Sequence, residues 1–231
     1  MNDIVVAALF FVGTHIGIAA TPLRAELIER VGERLYRLLF SLVSVVAVVW
    51  LIIAYAHATT MPLPWGAAWL AGLPLLLMPV AFLLLVTALS QPNPTAVGQT
   101  PDPDAPEPAR GMLRVTRHPM MWGIALWAIS HLLANPDTAS LVFFGAFAIL
   151  ALGGAVSLDH RRSRENAPGW GVFLQRTSFV PFAAIVEGRQ RFVWAEIGWA
   201  RLGLALLLYA LFLALHPWLF GVPAIGWMAG L

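Results

Sequence analysis

Six apolar stretches of near membrane-spanning length constrain the fold of this chain more than any other feature. They cover residues 4–20, 38–56, 67–89, 119–134, 139–158 and 202–219. A bilayer core takes about 20 apolar residues per helix, with a range of roughly 17 to 25, so 119–134 is the shortest candidate. Hydrophobic residues make up 59% of the chain and charged residues 11%, unlike a soluble domain. We predict an all-α polytopic membrane helix bundle of about six transmembrane helices, forming a single domain over residues 1–231.

The arginines predict the orientation of the bundle. All fourteen basic residues are arginine, and they fall within 24–37, 110–117 and 161–201, after the first, third and fifth stretches. The alternate connections and both termini carry none. By the positive-inside rule, the connections 91–110 and 159–199 are cytoplasmic and both termini are non-cytoplasmic. The arginines are spread beside acidic residues, which favours contact with the lipid bilayer and argues against nucleic-acid binding.

The two longer cytoplasmic connections differ in character. Residues 92–108 contain six prolines in seventeen positions, which predicts an extended, mobile tether without helix. The connection 159–199 keeps apolar patches such as GVFLQRTSFVPFAAIV, which predict packing on the membrane face or a shallow re-entry. The chain has no cysteine, which excludes disulfides, thiolate metal sites and a cysteine nucleophile. A metal must therefore be held by histidine, carboxylate or a cofactor.

Histidines at membrane depth are the main candidates for chemistry, because polar side chains are costly there and are often functional. Four lie in or beside the apolar stretches: His15 in the first, and His57, His131 and His216 near the outer ends of the second, fourth and sixth. His15 stands between Gly13 and Gly17, a spacing that lets a helix or a flat macrocycle approach the backbone. Neutral imidazole is a good axial ligand for heme iron. The alternative is that these histidines make interhelical hydrogen bonds or lie in an interfacial belt.

The fourth stretch carries a second histidine where it begins. His118 lies thirteen residues before His131, which is about 20 Å along a helix and nearly on the opposite face, so the two cannot share a metal. Proline at position 119 suits the first turn of a helix. The sequence then leaves two interpretations: a capped interfacial helix start with arginine on lipid phosphate, or an anion or cofactor site formed by Arg114, Arg117 and His118.

Three segments resemble the NnrU family of bacterial membrane proteins. They are FVGTHIGIAATPLR, RVTRHPMMWGIALWAISHLLANPDTASLVFFGAFAILALGG and ALHPWLFGVPAIG. The resemblance implies a multi-pass protein of the bacterial inner membrane, linked to denitrification through nitrite and nitric oxide reductases, with respiratory reductase components as partners. The family is related to the 15-cis-ζ-carotene isomerases of plants and cyanobacteria, which act on a lipophilic substrate with heme b held by two histidines.

The resemblance to these isomerases implies that His15 and His131 are the ligands of the heme iron. Their depths differ, because His15 lies toward the inner half of the first stretch and His131 near the outer end of the fourth. On depth alone, His131 pairs more easily with His216 or His57. The resemblance therefore implies one pair of ligands, and the position along the helices leaves the other pairs open.

A more remote resemblance is to isoprenylcysteine carboxyl methyltransferase-like enzymes, in which an RHP motif helps to hold S-adenosylmethionine at the cytoplasmic face. Arg117, His118, Pro119 and Glu165 fit that pattern loosely, but the paired glutamates expected there are absent. Three functions therefore stay open. They are a heme-binding protein with redox, nitric oxide-sensing or isomerase function, a membrane methyltransferase, and a non-catalytic accessory protein of respiratory reductases.

Overall fold

The computed structural model describes residues 1–96 and 98–224, and this part of the chain is helical without any strand, as predicted. The last seven residues of the predicted domain, 225–231, lie outside the described residues. The helices are α1 (Asn2–Ala19), α2 (Leu23–Val31), α3 (Glu33–Ala56), α4 (Leu73–Ser90), α5 (Pro119–Ala134), α6 (Thr138–Arg164), α7 (Trp170–Arg176), α8 (Ala183–Val186), α9 (Trp194–Ile197) and α10 (Trp199–Phe220). Short 3-10 turns at Ala68–Gly72 and Gly111–Arg114 precede α4 and α5.

Five helical segments are long and apolar enough to cross a membrane, in agreement with the composition. They are Asn2–Ala19, Glu33–Ala56, Ala68–Ser90, Thr138–Arg164 and Trp199–Phe220. The remaining predicted span, the fourth stretch, forms α5, which has only 16 residues and so extends about 24 Å at 1.5 Å per residue. The chain is therefore a multi-pass membrane protein, while a count of six spans and the side of the termini stay predictions.

The long helices form a row in which α5 packs between α4 and α6, α1 packs between α6 and α3, and α10 covers α4. Helices α4 and α5 approach closely at Gly123, where an added Cβ would lie 2.9 Å from Leu85 Cγ of α4. The core between α1, α3, α5 and α6 is built from alanines and aromatic residues. Small residues let helices pack closely where lipid provides no hydrophobic drive between them.

Contacts at the helix ends show that α1 and α6 run in the same direction. Near the start of α1, Asp3 Oδ1 accepts a hydrogen bond of 3.2 Å from Trp50 Nε1 on α3. The Thr138 hydroxyl at the start of α6 lies 3.6 Å from Met1 Sδ. At the other end, Arg161 Nη1 lies 3.5 Å from the Ala19 carbonyl oxygen. We call this second end, where the arginines gather, the arginine-rich side.

Two predictions about the connections on the arginine-rich side need correction: the start of the loop 159–199 and the character of the Pro-rich segment. Helix α6 continues to Arg164, so residues 159–164 of the predicted loop 159–199 are helical. The described residues of the Pro-rich segment, 91–96 and 98–110, contain no helix, as predicted, but the segment is not an extended tether. Asn93 is only 2% exposed, and the Thr95 hydroxyl donates to the Arg117 carbonyl oxygen at 3.0 Å. The segment therefore packs against the start of α5.

Large apolar side chains cover the outside of the long helices. Leu42, Ile149 and Leu207 are 59%, 59% and 64% exposed. An apolar surface of this extent on a soluble protein would aggregate, whereas a bilayer solvates it. The exposed surface of the bundle is therefore suited to direct contact with lipid.

Candidate functional site

His15 lies one turn before the end of α1 and is half-buried. Its Nδ1 donates to the Phe11 carbonyl oxygen at 2.7 Å, which leaves the lone pair on Nε2. The ring meets Phe40 of α3 at a centroid distance of 5.4 Å. No heavy atom of the described residues lies within 4 Å of a Cβ added at Gly13 or Gly17. The helix contact considered for these glycines is not formed, and their face of α1, nearly opposite to His15, is open.

His131 occupies the last turn of α5 and has the same hydrogen-bonding pattern. Its Nδ1 donates to the Trp127 carbonyl oxygen at 2.8 Å, so Nε2 again keeps its lone pair. The imidazole packs on Phe144 of α6 at 5.4 Å and near Trp127 at 5.8 Å between centroids. A backbone carbonyl bound to Nδ1–H fixes both the tautomer and the ring orientation of a ligating histidine.

Aromatic side chains connect the two imidazoles without bringing them together. The ring of Phe11 contacts His15 at 4.9 Å and Phe147 at 4.9 Å. Phe147 in turn lies 5.1 Å from Trp127, the neighbour of His131. His15 and His131 therefore flank one aromatic cluster, which we define as Phe11, Trp127, Phe143, Phe144 and Phe147.

The two histidines also differ in depth, as the sequence predicted. Ile16 Cδ1 lies 3.7 Å from a Cβ added at Gly153 of α6, so His15 is level with this part of α6. His131 packs on Phe144 of the same helix. Eight to nine residues separate these levels, which corresponds to about 12 Å at 1.5 Å per residue.

The two alternative ligands lie near the end of the bundle opposite the arginine-rich side. His57 follows the last residue of α3 and is exposed, with Nδ1 2.9 Å from the Ile53 carbonyl oxygen. His216 is half-buried on α10, with Nδ1 2.7 Å from the Val222 carbonyl oxygen. His216 is near the end of α10 and His131 is in the last turn of α5, so both lie toward the same end of the bundle. The true pair of ligands therefore stays a prediction.

The described residues bring together no group of three or more histidine, aspartate and glutamate side chains that could hold a bare metal ion. A porphyrin supplies four ligands of its own and needs one or two from the protein. His15 and His131, which are half-buried beside the aromatic cluster, offer one nitrogen each, the number of ligands that a porphyrin needs from a protein.

Two of the three residues predicted at the start of α5, Arg117 and His118, share one carboxylate. Asp159 of α6 accepts from Arg117 Nε through Oδ2 at 2.7 Å and from His118 Nε2 through Oδ1 at 2.8 Å. The His118 side chain is fully buried, and its Nδ1 has no partner among the described residues. Because both Asp159 oxygens act as acceptors in these contacts, His118 Nε2–H is the donor.

Arg114 forms a second network in the turn before α5. Its Nε and Nη2 donate to the two oxygens of Glu196, both at 2.8 Å, and its Nη1 donates to Gln190 at 2.5 Å and to Glu107 at 3.2 Å. The hydrogen bond with Glu196 raises the pKa of Arg114, and the same bond lowers the pKa of Glu196. The backbone N–H of Gly111 also donates to Glu196 at 2.7 Å. We call Arg114, Arg117 and His118 with their carboxylate partners the helix-start cluster.

A loop from the connection 159–199 encloses the start of α5. The Phe179 carbonyl oxygen accepts from the Thr116 hydroxyl and from Trp122 Nε1, each at 2.9 Å. The Ser178 carbonyl oxygen accepts from the Arg117 N–H at 3.0 Å. An open cleft of about 740 Å³ lies beside Arg117, lined mainly by residues 174–180. The guanidiniums of the helix-start cluster are thus committed to carboxylates, and anion binding there stays a prediction.

The sequence reasoning missed the carboxylates that organise this cluster. Asp159 is the single acidic residue between Asp137 and Glu165, and it stands where an apolar stretch meets a run of arginines. A carboxylate at such a boundary needs a charged partner because its desolvation is costly. That signal could have marked Asp159, whereas nothing local marked Glu196, which lies 82 residues from Arg114.

Comparison with known proteins places the chain in a family. The family model described as NnrU protein matches residues 3–224. The 15-cis-zeta-carotene isomerase of Zea mays is 30% identical over 185 residues, and that of Arabidopsis thaliana is 28% identical over 194 residues; both proteins are chloroplastic. Each match covers 79% of this chain and 50% of the relative, so the chain spans about half the length of these relatives. No solved structure matches the chain significantly. The chain is a member of the NnrU family of membrane proteins, related to 15-cis-zeta-carotene isomerases.

Proposed function

We propose that this protein is a membrane isomerase that binds heme b through His15 and His131 and acts on a double bond of a lipophilic polyene. The observation that carries the proposal is that both imidazoles make the same hydrogen bond and border the same group of aromatic rings. Each donates Nδ1–H to the backbone carbonyl one turn earlier, each keeps a free Nε2, and both flank the same aromatic cluster. The similarity to the 15-cis-zeta-carotene isomerases supports the substrate class.

The two histidines fit heme iron in their donor chemistry but not in their separation. About 12 Å of depth and the rings of Phe11, Phe147 and Trp127 lie between them, so one iron could bind both only after these side chains move. Iron binds a neutral imidazole nitrogen, and a second hydrogen bond on the other nitrogen increases the basicity of the ligand. His15 and His131 both satisfy this condition, and the side chains that would surround the macrocycle are Phe11, Trp127 and Phe147. A bound heme would supply a redox-active iron beside the substrate. The aromatic rings would exclude water, and the exposed apolar surface would admit a polyene from the bilayer.

Absorption spectroscopy tests the heme ligands. We expect the detergent-purified protein, supplied with heme b, to show a Soret band whose position shifts on reduction. His15→Ala and His131→Ala should each lose or strongly shift this band. His57→Ala is the matched control, because His57 has the same Nδ1 bond to the preceding turn but is exposed. A wild-type protein without a Soret band would overturn the proposal, and loss in His216→Ala but not in His15→Ala would overturn the pair.

Activity requires a separate measurement. Heme-loaded protein in liposomes that contain 15-cis-ζ-carotene should convert it to another geometric isomer, as resolved by chromatography. If heme-loaded protein left the polyene unchanged, the isomerase part of the proposal would be rejected, whereas the proposed heme site would stand. The spectrum and the assay therefore separate cofactor binding from catalysis.

The other functions inferred from the sequence remain predictions. A link to denitrification and nitric oxide predicts that respiratory reductase components purify with this protein from membranes. A methyltransferase predicts binding of S-adenosylmethionine at Arg117 and His118, measurable by calorimetry. In the structure both of these side chains bind Asp159. Glu165 does not contact them and lies 3.8 Å from Arg161. Neither alternative is supported by a specific contact among the described residues.

A further inference from the structure

A second group of arginines lies on the arginine-rich side, at the ends of α1 and α6 and the starts of α2 and α3. It comprises Arg24, Arg161 and Arg162 together with Tyr36, and we call it the inner arginine cluster. Arg161 Nη1 lies 3.5 Å from the carbonyl oxygen of Ala19, the last residue of α1, and Arg24 follows in the first turn of α2. The guanidinium of Arg24 lies 5.7 Å from the centre of the Tyr36 ring.

Arg161 is the central member, and its guanidinium is poorly satisfied. Nη1 makes only a long contact of 3.5 Å with the Ala19 carbonyl oxygen. Nε is buried without a hydrogen-bond partner in the described chain. Glu165 lies 3.8 Å from this Nε, which is within reach of an ion pair but too far for a hydrogen bond. A buried donor left without an acceptor is costly, so an acceptor from outside the polypeptide would stabilise this Nε.

Arg24 and Arg162 also lack a nearby carboxylate in the part of the chain that the structure describes. Within the described residues, neither Arg24 nor Arg162 has a carboxylate within 4 Å. Arg162 Nη2 donates to the Gln99 carbonyl oxygen at 2.6 Å, but its Nε is buried without a partner. Among the described residues, Glu165 is therefore the one carboxylate within 4 Å of any of these three arginines, and it lies 3.8 Å from Arg161. Like charges at short range are unfavourable unless an anion lies between them.

We propose that the inner arginine cluster is a binding site for the phosphate group of an anionic phospholipid. A phosphate oxygen accepts paired N–H donors from a guanidinium fork, which matches the unsatisfied donors of Arg161. Exposed apolar side chains border the cluster on three helices: Leu23, Leu39 and Val156 are 42%, 47% and 43% exposed. Acyl chains can cover these side chains while the phosphate reaches the arginines. A free phosphate ion offers the same oxygen chemistry but no contact with this apolar border.

Native mass spectrometry and thermal unfolding of delipidated protein in neutral detergent test the site. Phosphatidylglycerol should remain bound and raise the melting temperature of the wild type more than phosphatidylcholine does. Arg161→Gln and Arg24→Gln should each weaken retention of phosphatidylglycerol about tenfold, the loss expected for a charge-assisted hydrogen bond. Arg164→Gln is the matched control, because Arg164 is an exposed arginine on the same helix.

Each outcome decides the proposal. Equal losses in Arg161→Gln and Arg164→Gln would overturn it in favour of diffuse attraction to charge. Equal stabilisation by millimolar inorganic phosphate and by phosphatidylglycerol would overturn the lipid as the source of the phosphate group. If Arg161→Gln alone failed to fold, the result for Arg24→Gln would decide. Unchanged retention in both variants would reject the site.

Discussion

The helix-start cluster and the inner arginine cluster lie on the same side of the bundle but differ in their counter-charges. In the first, Arg114 and Arg117 are 10% and 14% exposed, and each contacts a carboxylate at 2.8 Å or closer. In the second, the Arg161 side chain is 29% exposed and its nearest carboxylate is 3.8 Å away. Asp159 of the first cluster and Arg161 of the second are two residues apart on α6 and so point to nearly opposite faces of this helix.

The comparison teaches that an arginine at the membrane boundary does not by itself indicate an anion site. The carboxylate partner decides: a paired arginine joins segments of the fold, whereas an unpaired one has donors free for a ligand. Asp159 joins the ends of α5 and α6, and Glu196 joins the turn before α5 to the residues before α10. The predictions that follow test this difference between structural and ligand-binding arginines.

Removal of the Asp159 carboxylate should cause the largest loss of stability. Asp159→Ala leaves Arg117 and His118 partly or fully buried without an acceptor, and breaking a buried pair in this way costs about 3 kcal/mol. The free energy of unfolding in detergent measures the loss. Glu165→Ala on the same helix end should cost no more than about 0.5 kcal/mol, because its contact is exposed. Equal stability of wild type and Asp159→Ala would show that the pair does not hold the helix start.

The Glu196 interaction should depend on pH in a defined window. Hydrogen bonding with Arg114 lowers the pKa of Glu196 in the folded protein, so its contribution is complete above the unfolded pKa of about 4.3 and is lost as pH falls through the folded value. Glu196→Gln should cost about 2 kcal/mol at pH 7.

Thermal unfolding between pH 7 and pH 3 checks the sign of this effect. The difference in melting temperature between wild type and Glu196→Gln should stay constant down to about pH 4.3 and shrink at lower pH. A difference that grows on acidification would contradict the assigned ion pair.

The smallest effect on stability is expected in the inner arginine cluster. In lipid-free detergent, Arg161→Gln removes one of three like charges and no short ion pair, so its unfolding free energy should stay within about 0.5 kcal/mol of wild type. The same thermal scans used for Asp159→Ala provide the measurement. A loss as large as that of Asp159→Ala would mean that both clusters are structural and would remove the contrast between them.

Helix positions followed well from apolar length, and helix ends did not. The stretch 139–158 was identified, but α6 runs on to Arg164, because charged residues can continue a helix beyond the apolar core. The Pro-rich segment was identified as non-helical, yet its packing against Arg117 was not. Proline excludes helix locally, whereas docking of the segment depends on partners elsewhere in the chain.

The candidate histidines were identified from the sequence because a polar residue in an apolar stretch is conspicuous. The spacing also separated His118 from His131 correctly, because His118 precedes the first residue of α5 and His131 lies in its last turn. The sequence could not show that Phe11, Phe147 and Trp127 would stand between His15 and His131. It also could not show that Gly13 and Gly17 face open space, because either face of α1 could have met a neighbour.

The sequence by itself determined that this chain is a helical membrane protein with its arginines in three connections, because a bilayer restricts helix length and composition residue by residue. Only the tertiary structure decided which of those arginines are neutralised. Arg117 meets a carboxylate 42 residues away and Arg114 one 82 residues away. Pairing over such separations depends on how the helices pack, and that packing left Arg161 without a short carboxylate contact.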